Sequence, residues 1–244
     1  MSICNGIKTG FDVYDNELGG FHKGQLILVE GKPCSGKAAF ALSLMDNLCM
    51  NNEGFCLCFS VETNPKRVYQ KLLKRHCGLE SLDNISPDEW NGVAEESRKL
   101  LCGNLIVEGF EVTIEKILSK SIEVASRGPI SAIMVDGVSY LADSSRSRIT
   151  SVFPAIKKLK ELAITLDCPV VAFTSLSRFV EKDSEENYGL MDLYITSNFI
   201  DTVDEVIFLY HERCDDGECG DNGKIQIGTT DYMTGINLTF EMEF

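Results

Sequence analysis

The sequence predicts an α/β fold, a mainly parallel sheet with helices on both faces, and three observations predict it. Short apolar runs of strand length alternate with longer segments in which apolar residues recur at helical spacing. The run from Ile130 to Val135 is continuously apolar, as a strand buried on both faces requires. A glycine-rich turn, GKPCSGKA over residues 31–38, joins the first such strand to the first such helix.

Taken in order, residues 6–24 read as a turn-rich lead-in, with Gly10, Gly19, Gly20 and Gly24. Leu26 to Glu30 form the first strand, and Phe40, Ala41, Leu44 and Leu48 mark the helix after the glycine turn. A second strand, Phe55 to Ser60, ends in Val61-Glu62-Thr63. Residues 65–76 read as a helix with Lys66, Arg67, Lys71, Lys74 and Arg75 around an apolar Val68, Leu72 and Leu73. A solvated face is the expectation for such a basic surface. Ser86-Pro87-Asp88-Glu89 starts the next helix: the serine caps, the proline suits the first turn, and Glu89 completes a capping box. Trp90, Val93, Ala94, Leu100 and Leu101 are assigned to its core-facing stripe, and Cys102-Gly103-Asn104 ends it.

Leu105 to Val107 give a third strand and residues 113–126 a further helix, which ends near Arg127-Gly128-Pro129. The fourth strand, Ile130 to Val135, closes on Asp136. After a loop of small and basic residues, Ser144 to Arg148, an amphipathic helix carries Phe153, Ile156, Leu159, Leu162, Ala163 and Leu166, with Pro154 expected in its first turn. Pro169 to Ser175 and residues 204–210 are the fifth and sixth strands. Residues 224–228 and 237–243 alternate like a half-exposed C-terminal β-hairpin.

A chain of 244 residues suits one α/β domain over 1–244, and 44% hydrophobic with 25% charged residues is the composition of a soluble globule. The formal net charge of -14 disfavours a surface built mainly to grip nucleic-acid or membrane phosphates. The opening MSICNGIKTGF has no apolar core of signal-peptide length, and no apolar run approaches a membrane span. A cytoplasmic protein with no membrane partner is the expectation. The ten cysteines are scattered, and Cys49, Cys56, Cys58 and Cys168 lie in apolar segments, as buried reduced thiols do. Cys214 and Cys219 flank an acidic turn, but no second pair completes a zinc site.

The chemistry concentrates at the glycine turn. Gly31, four residues, then Gly36-Lys37 is the phosphate-binding loop pattern, in the strand–loop–helix setting it needs. Glycines let the backbone curl so that N–H groups and the helix N-terminus point at phosphate oxygens, and Lys37 adds a full positive charge. The next position should be Ser or Thr, whose hydroxyl holds Mg²⁺, and here it is Ala38. Candidate nucleotide-binding residues are Gly31, Pro33, Cys34, Ser35, Gly36, Lys37, Ala38 and Ala39. Asp136, ending an apolar strand, is the candidate carboxylate for orienting waters around Mg²⁺. Glu62, also at a strand end, is the candidate for polarising an attacking water.

Read together, IKTGFDVYDNELGGFHKGQLILVEGKPCSGKAAFAL (7–42), FSVET (59–63), IMVDGVSYL (133–141) and LKELAITLDCPVVAFTSLSR (159–178) resemble the RecA-type motor domain of the DnaB class of hexameric replicative helicases. The resemblance runs from about residue 6 to 244. It implies a RecA-like P-loop NTPase fold, ATP bound at a subunit interface, and a family task of translocating on single-stranded DNA. It also implies that Lys37 contacts phosphate, that Asp136 stands on the metal side, and that Glu62 is the catalytic carboxylate. Arg178 matches an arginine that follows the family's fifth strand.

Departures from the family pattern qualify that function. Ser175 stands where the family has a glutamine sensing the γ-phosphate. Gly228-Thr229-Thr230-Asp231-Tyr232-Met233-Thr234-Gly235 lacks the family's lysine and arginine finger, a loss worth roughly 10³–10⁵ in rate. The segment 179–203, where DNA contact is expected, carries Glu181, Asp183, Glu185, Glu186, Asp192 and Asp201 against a single Lys182. These 244 residues hold no counterpart of the family's N-terminal helical domain. The expectation is an ATP- or ADP-binding domain with impaired hydrolysis and a nucleotide-dependent role towards a protein partner, either a second copy or a helicase relative. Mg²⁺ is expected to be weakly held or absent, and single-stranded DNA is not an expected partner. An active ATP-dependent helicase in DNA replication and a structural module that binds no nucleotide are the alternatives.

Overall fold

The computed structural model describes residues 6–31, 35–61, 63–83, 85–109, 111–141, 148–174, 202–210, 224–231 and 237–243. Eight strands form one sheet: β1 (Leu26–Gly31), β2 (Phe55–Ser60), β3 (Leu105–Gly109), β4 (Ile130–Asp136), β5 (Val170–Thr174), β6 (Glu205–Tyr210), β7 (Lys224–Asp231) and β8 (Asn237–Glu243). Their order is β3-β2-β4-β5-β1-β6-β7-β8. The pairings from β3 through to β6 are parallel, and β7 and β8 add on antiparallel.

Side chains alternate across this sheet and feed two cores. Ile27 and Val29 of β1 face Phe40, Leu44 and Leu48 of α2 (Lys37–Asn51) and Val68 and Leu72 of α3 (Pro65–Cys77). Leu26 and Leu28 face the other way, into a cluster with Ile117 of α5 (Ile114–Ala125) and Ile156, Leu159 and Ala163 of α6 (Arg148–Leu166). Every residue of β1 is buried, which is why its sequence is an unbroken apolar run closed by Glu30.

α4 (Pro87–Cys102) starts with the capping box read from the sequence: Ser86 accepts from Glu89 N, and Glu89 reaches back to Ser86 N at 2.8 Å. It lies on α3. His76 joins three helices there, with Nε2 at 2.7 Å from Asp46 of α2 and Nδ1 at 3.3 Å from Glu96 of α4.

Four sequence expectations are corrected. The lead-in over 6–24 contains a helix, α1 (Asp12–Leu18), closed by Gly19 in the left-handed conformation. Seven residues are too few to display a period, and Asp15, which resembles a turn residue, instead accepts from Thr9 N and Gly10 N. Trp90 and Ala94 are exposed, Trp90 at 55%, and only Val93 and Leu100 of that stripe are confirmed as buried. Trp90 lies one turn before Val93, beyond the part of the helix that packs. Pro154 sits inside α6, because the helix already begins at Arg148. The missing N–H costs a helical bond, and Val152, fully buried in the preceding turn, keeps that turn on the sheet. Finally, β3 and β7 run longer than the apolar pattern, to Gly109 and Asp231, because pairing with β2 and β6 continues past the last apolar residue.

Candidate nucleotide-binding site

The site lies at the carboxyl ends of the parallel strands, where β1 turns into α2. β1 is central, held between β5 and β6, so the loop that follows springs from the most rigid part of the sheet. Gly31 permits no side chain: a Cβ there would come within 2.3 Å of Ser35 Oγ and 3.0 Å of the Leu209 carbonyl. Gly36 has φ 84°, a conformation glycine adopts without strain, and is the N-cap of α2. No side chain caps this helix and no acidic residue stands in its first turn, so its leading N–H groups and positive dipole end are left for an anion. Ser35 is 4% exposed, and its hydroxyl has no hydrogen-bond partner among the described residues. Lys37, the first helical residue, folds back to donate to the Gly31 carbonyl.

Ala38 and Ala39 follow in the first turn of α2. Ala38 lines a cleft shared with Met45, Cys58, Ser60, Lys71 and Asp136. Asp136 ends β4 directly beside Ser60 of β2 and Phe173 of β5 in the parallel register. Ser60, missing from the sequence-derived set, ties this corner together. Its hydroxyl donates towards Asp136 Oδ2 at 3.5 Å and accepts from Thr63 N at 3.1 Å, while Val61 N donates to the Asp136 carbonyl at 3.0 Å. Both neighbours of Glu62 are thereby pinned to the Asp136 corner. Glu62 itself, with Pro33, Cys34, Ser175, Arg178 and 179–201, lies outside the described residues, as do Tyr232 to Gly235 and the Cys214–Cys219 pair.

Cys58 faces the cleft as a neutral thiol, because burial and the neighbouring Asp136 charge push it far above its ordinary value. Thr174, the last residue of β5, is 2% exposed with its hydroxyl unpartnered among the described residues. It stands level with Glu30 on β1. The sequence signals for Ser60 and Thr174 were present, a hydroxyl at the end of an apolar strand, but only the parallel register gives them neighbours.

The family model of the DnaB-like helicase C terminal domain matches residues 6–241. The chain belongs to that family. Among curated relatives, the replicative DNA helicase DnaC of Bacillus subtilis (strain 168) is 24% identical over 251 residues, covering 98% of this chain and 55% of that protein. The replicative DNA helicase DnaB of Rickettsia bellii (strain RML369-C) is 29% identical over 228 residues, covering 85% of this chain and 45% of that protein. The chain thus spans about half the length of the curated relatives it matches. Among solved structures, a DnaB-like replicative helicase, solved in a study of its interactions with primase, superposes with a TM-score of 0.84 at 21% identity, covering 100% of this chain and 60% of that one. A second solved structure, an isolated ATPase domain, gives 0.84 at 22% identity, covering 99% and 88%. This DnaB-like domain therefore has the RecA-like fold that the sequence predicts, including the C-terminal hairpin of β7 and β8. Among the described residues no helix is long and apolar enough to cross a membrane, and no cluster of three metal-ligating side chains occurs.

Proposed function

We propose that residues 1–244 form one ATP- or ADP-binding domain of the DnaB-like type, with impaired hydrolysis, that acts through nucleotide-dependent contact with a protein partner. The observation that carries the nucleotide reading is the loop itself: a glycine that no Cβ can replace, a left-handed Gly36, an uncapped helix end and an orphaned buried Ser35 hydroxyl converge on one anion-sized cradle. In this reading Gly31, Pro33, Cys34, Ser35, Gly36, Lys37, Ala38 and Ala39 hold the phosphates, and Lys37 exchanges its bond to the Gly31 carbonyl for one to a phosphate oxygen.

The residues present fit the nucleotide's phosphates but not the usual metal. Ala38 offers no oxygen, Cys58 is a neutral thiol, and the Ser60 hydroxyl is already engaged by Thr63 and Asp136. Asp136 and Glu62 retain the family's carboxylates, without the direct hydroxyl ligand, the γ-phosphate glutamine or a basic finger after β7. Those groups stabilise charge in the transition state, so their loss removes rate while leaving ground-state binding. The described cysteines Cys49, Cys56, Cys58, Cys77 and Cys168 are free thiols, which supports a reducing, cytoplasmic setting.

Calorimetric titration with ATP and ADP tests this reading. Micromolar or weaker binding is expected, and Lys37→Ala should remove most of it. Equal curves for the variant and the parent would rule the loop out, and rapid phosphate release by the parent would rule out the impaired-hydrolysis part.

A further inference from the structure

We propose that Lys71 is the resident counter-ion of this site: its ammonium, rather than a divalent metal, faces the terminal phosphates, so that nucleotide binding is independent of Mg²⁺. The proposal rests on the nucleotide-binding reading and adds to it a residue and a metal requirement.

Lys71 projects from α3 into the cleft whose opposite wall is Ala38 and whose floor holds Asp136. In a phosphate loop the residue after the lysine touches the metal, so this cleft occupies the metal's side of the loop. Mg²⁺ demands six oxygens in near-octahedral order and gives up its waters reluctantly. The wall that should supply a hydroxyl supplies a methyl group. The anion still needs charge compensation, because Lys37 and the helix dipole offset little of a triphosphate's charge and the whole chain carries -14.

Lys71 answers that need in both placement and availability. Val68 and Leu72, buried on either side of it, fix the rotation of α3 and hence the direction of Lys71. Among the described residues it makes no ion pair or hydrogen bond, whereas Lys99, Lys120, Lys158 and Lys160 each meet a carboxylate. A flexible four-carbon stem lets the ammonium follow the phosphate, without the fixed geometry a metal imposes. The basic face of α3, expected from the sequence to be merely solvated, thus has one member with a separate role.

The test is titration of the full chain with ATP, in EDTA and in excess Mg²⁺, for the parent, Lys71→Ala, Lys71→Gln and Lys71→Arg, with Lys66→Ala as a same-helix charge control. Thermal melts verify that each variant folds, as an exposed position should allow. The parent should bind within about twofold in the two conditions, and both neutral variants should lose about tenfold in EDTA, the size of one charge-assisted contact. Lys71→Arg and Lys66→Ala should stay near the parent. Parent-like binding by the neutral variants, an equal loss in Lys66→Ala, or a parent that needs Mg²⁺ would each overturn the proposal while leaving nucleotide binding intact. Absence of any binding by the parent would remove both readings together.

Discussion

Tyr14 in α1 donates its phenolic hydrogen to the Glu205 carboxylate at the start of β6, at 2.5 Å. Thr229 of β7 donates to the other carboxylate oxygen, also at 2.5 Å, and Glu205 is 1% exposed. One buried carboxylate thus fastens the N-terminal helix to the strand pair on the far side of β1. Removing a donor from a buried charge leaves it short of a partner, at a cost of roughly 1–3 kcal/mol. Tyr14→Phe should therefore lower unfolding stability by about that amount in urea denaturation, with unchanged circular dichroism. A loss under about 0.5 kcal/mol would show that the clasp contributes little.

Repair of the metal side is a second expectation. Ala38→Thr restores the missing hydroxyl opposite Asp136, and Mg·ATP should then bind more tightly than metal-free ATP by about 1–2 kcal/mol. Turnover should stay at background, because the γ-phosphate glutamine and the basic finger are still missing from the sequence. Phosphate release measured beside the titration checks both halves. Vigorous hydrolysis by this single variant would replace the impaired-hydrolysis reading with an active motor.

Single-stranded DNA should not bind at physiological salt. The segment 179–203 carries six acidic side chains, Glu181, Asp183, Glu185, Glu186, Asp192 and Asp201, on a chain of net charge -14. Fluorescence anisotropy of a labelled oligonucleotide should remain flat, and tight, salt-sensitive binding would refute the expectation.

Alkaline pH should destabilise the fold. Burial, aided by the Asp167 charge and opposed by Lys23, pushes the Cys168 thiol from its ordinary 9.0 up to about 12. Cys56 and Cys58 shift in the same direction, chiefly by burial. The unfolded chain releases these protons above pH 9 while the folded chain retains them. The stabilisation is therefore complete below pH 9 and is lost as pH rises towards about 12, by ~1.4 kcal/mol per pH unit and thiol. Urea melts at pH 8 and at about pH 10 should show the decline, and Cys168→Ala should make it shallower. Identical slopes would count against Cys168.

How much of this was legible in the sequence follows from how local each cause is. The loop between β1 and α2 could be read directly, because a fully buried strand writes an unbroken apolar run and the turn demands glycine at residues 31 and 36. The capping box of α4 is equally local, Ser86 and Glu89 being three positions apart. α1 left no trace, since its seven residues cannot show a period. Trp90 misled because hydrophobicity does not reveal where a helix overhangs its neighbour. Ser60 was invisible as a positioning residue, because its partner Asp136 becomes adjacent only through the parallel pairing of β2 with β4. Lys71 was read correctly as basic and exposed, but the cleft beside it is created by α2, β2 and β4 together.

The central seat of β1 also dictates when the nucleotide cradle can come into being. Leu26 pairs with Val170 on one side and Ile27 with Glu205 on the other, so both neighbours of the strand are made long after it leaves the ribosome. Loop closure over such spans delays the pairing until most of the chain is available. During synthesis the α2–α3–α4 layer, built from nearer contacts, can form while β1 still exposes both edges. A nascent chain that stops short of β6 would therefore carry the complete glycine motif and yet lack one of the two strands that hold it rigid. Competence for nucleotide would arrive late, as a property of the nearly finished chain and not of the segment that bears the motif.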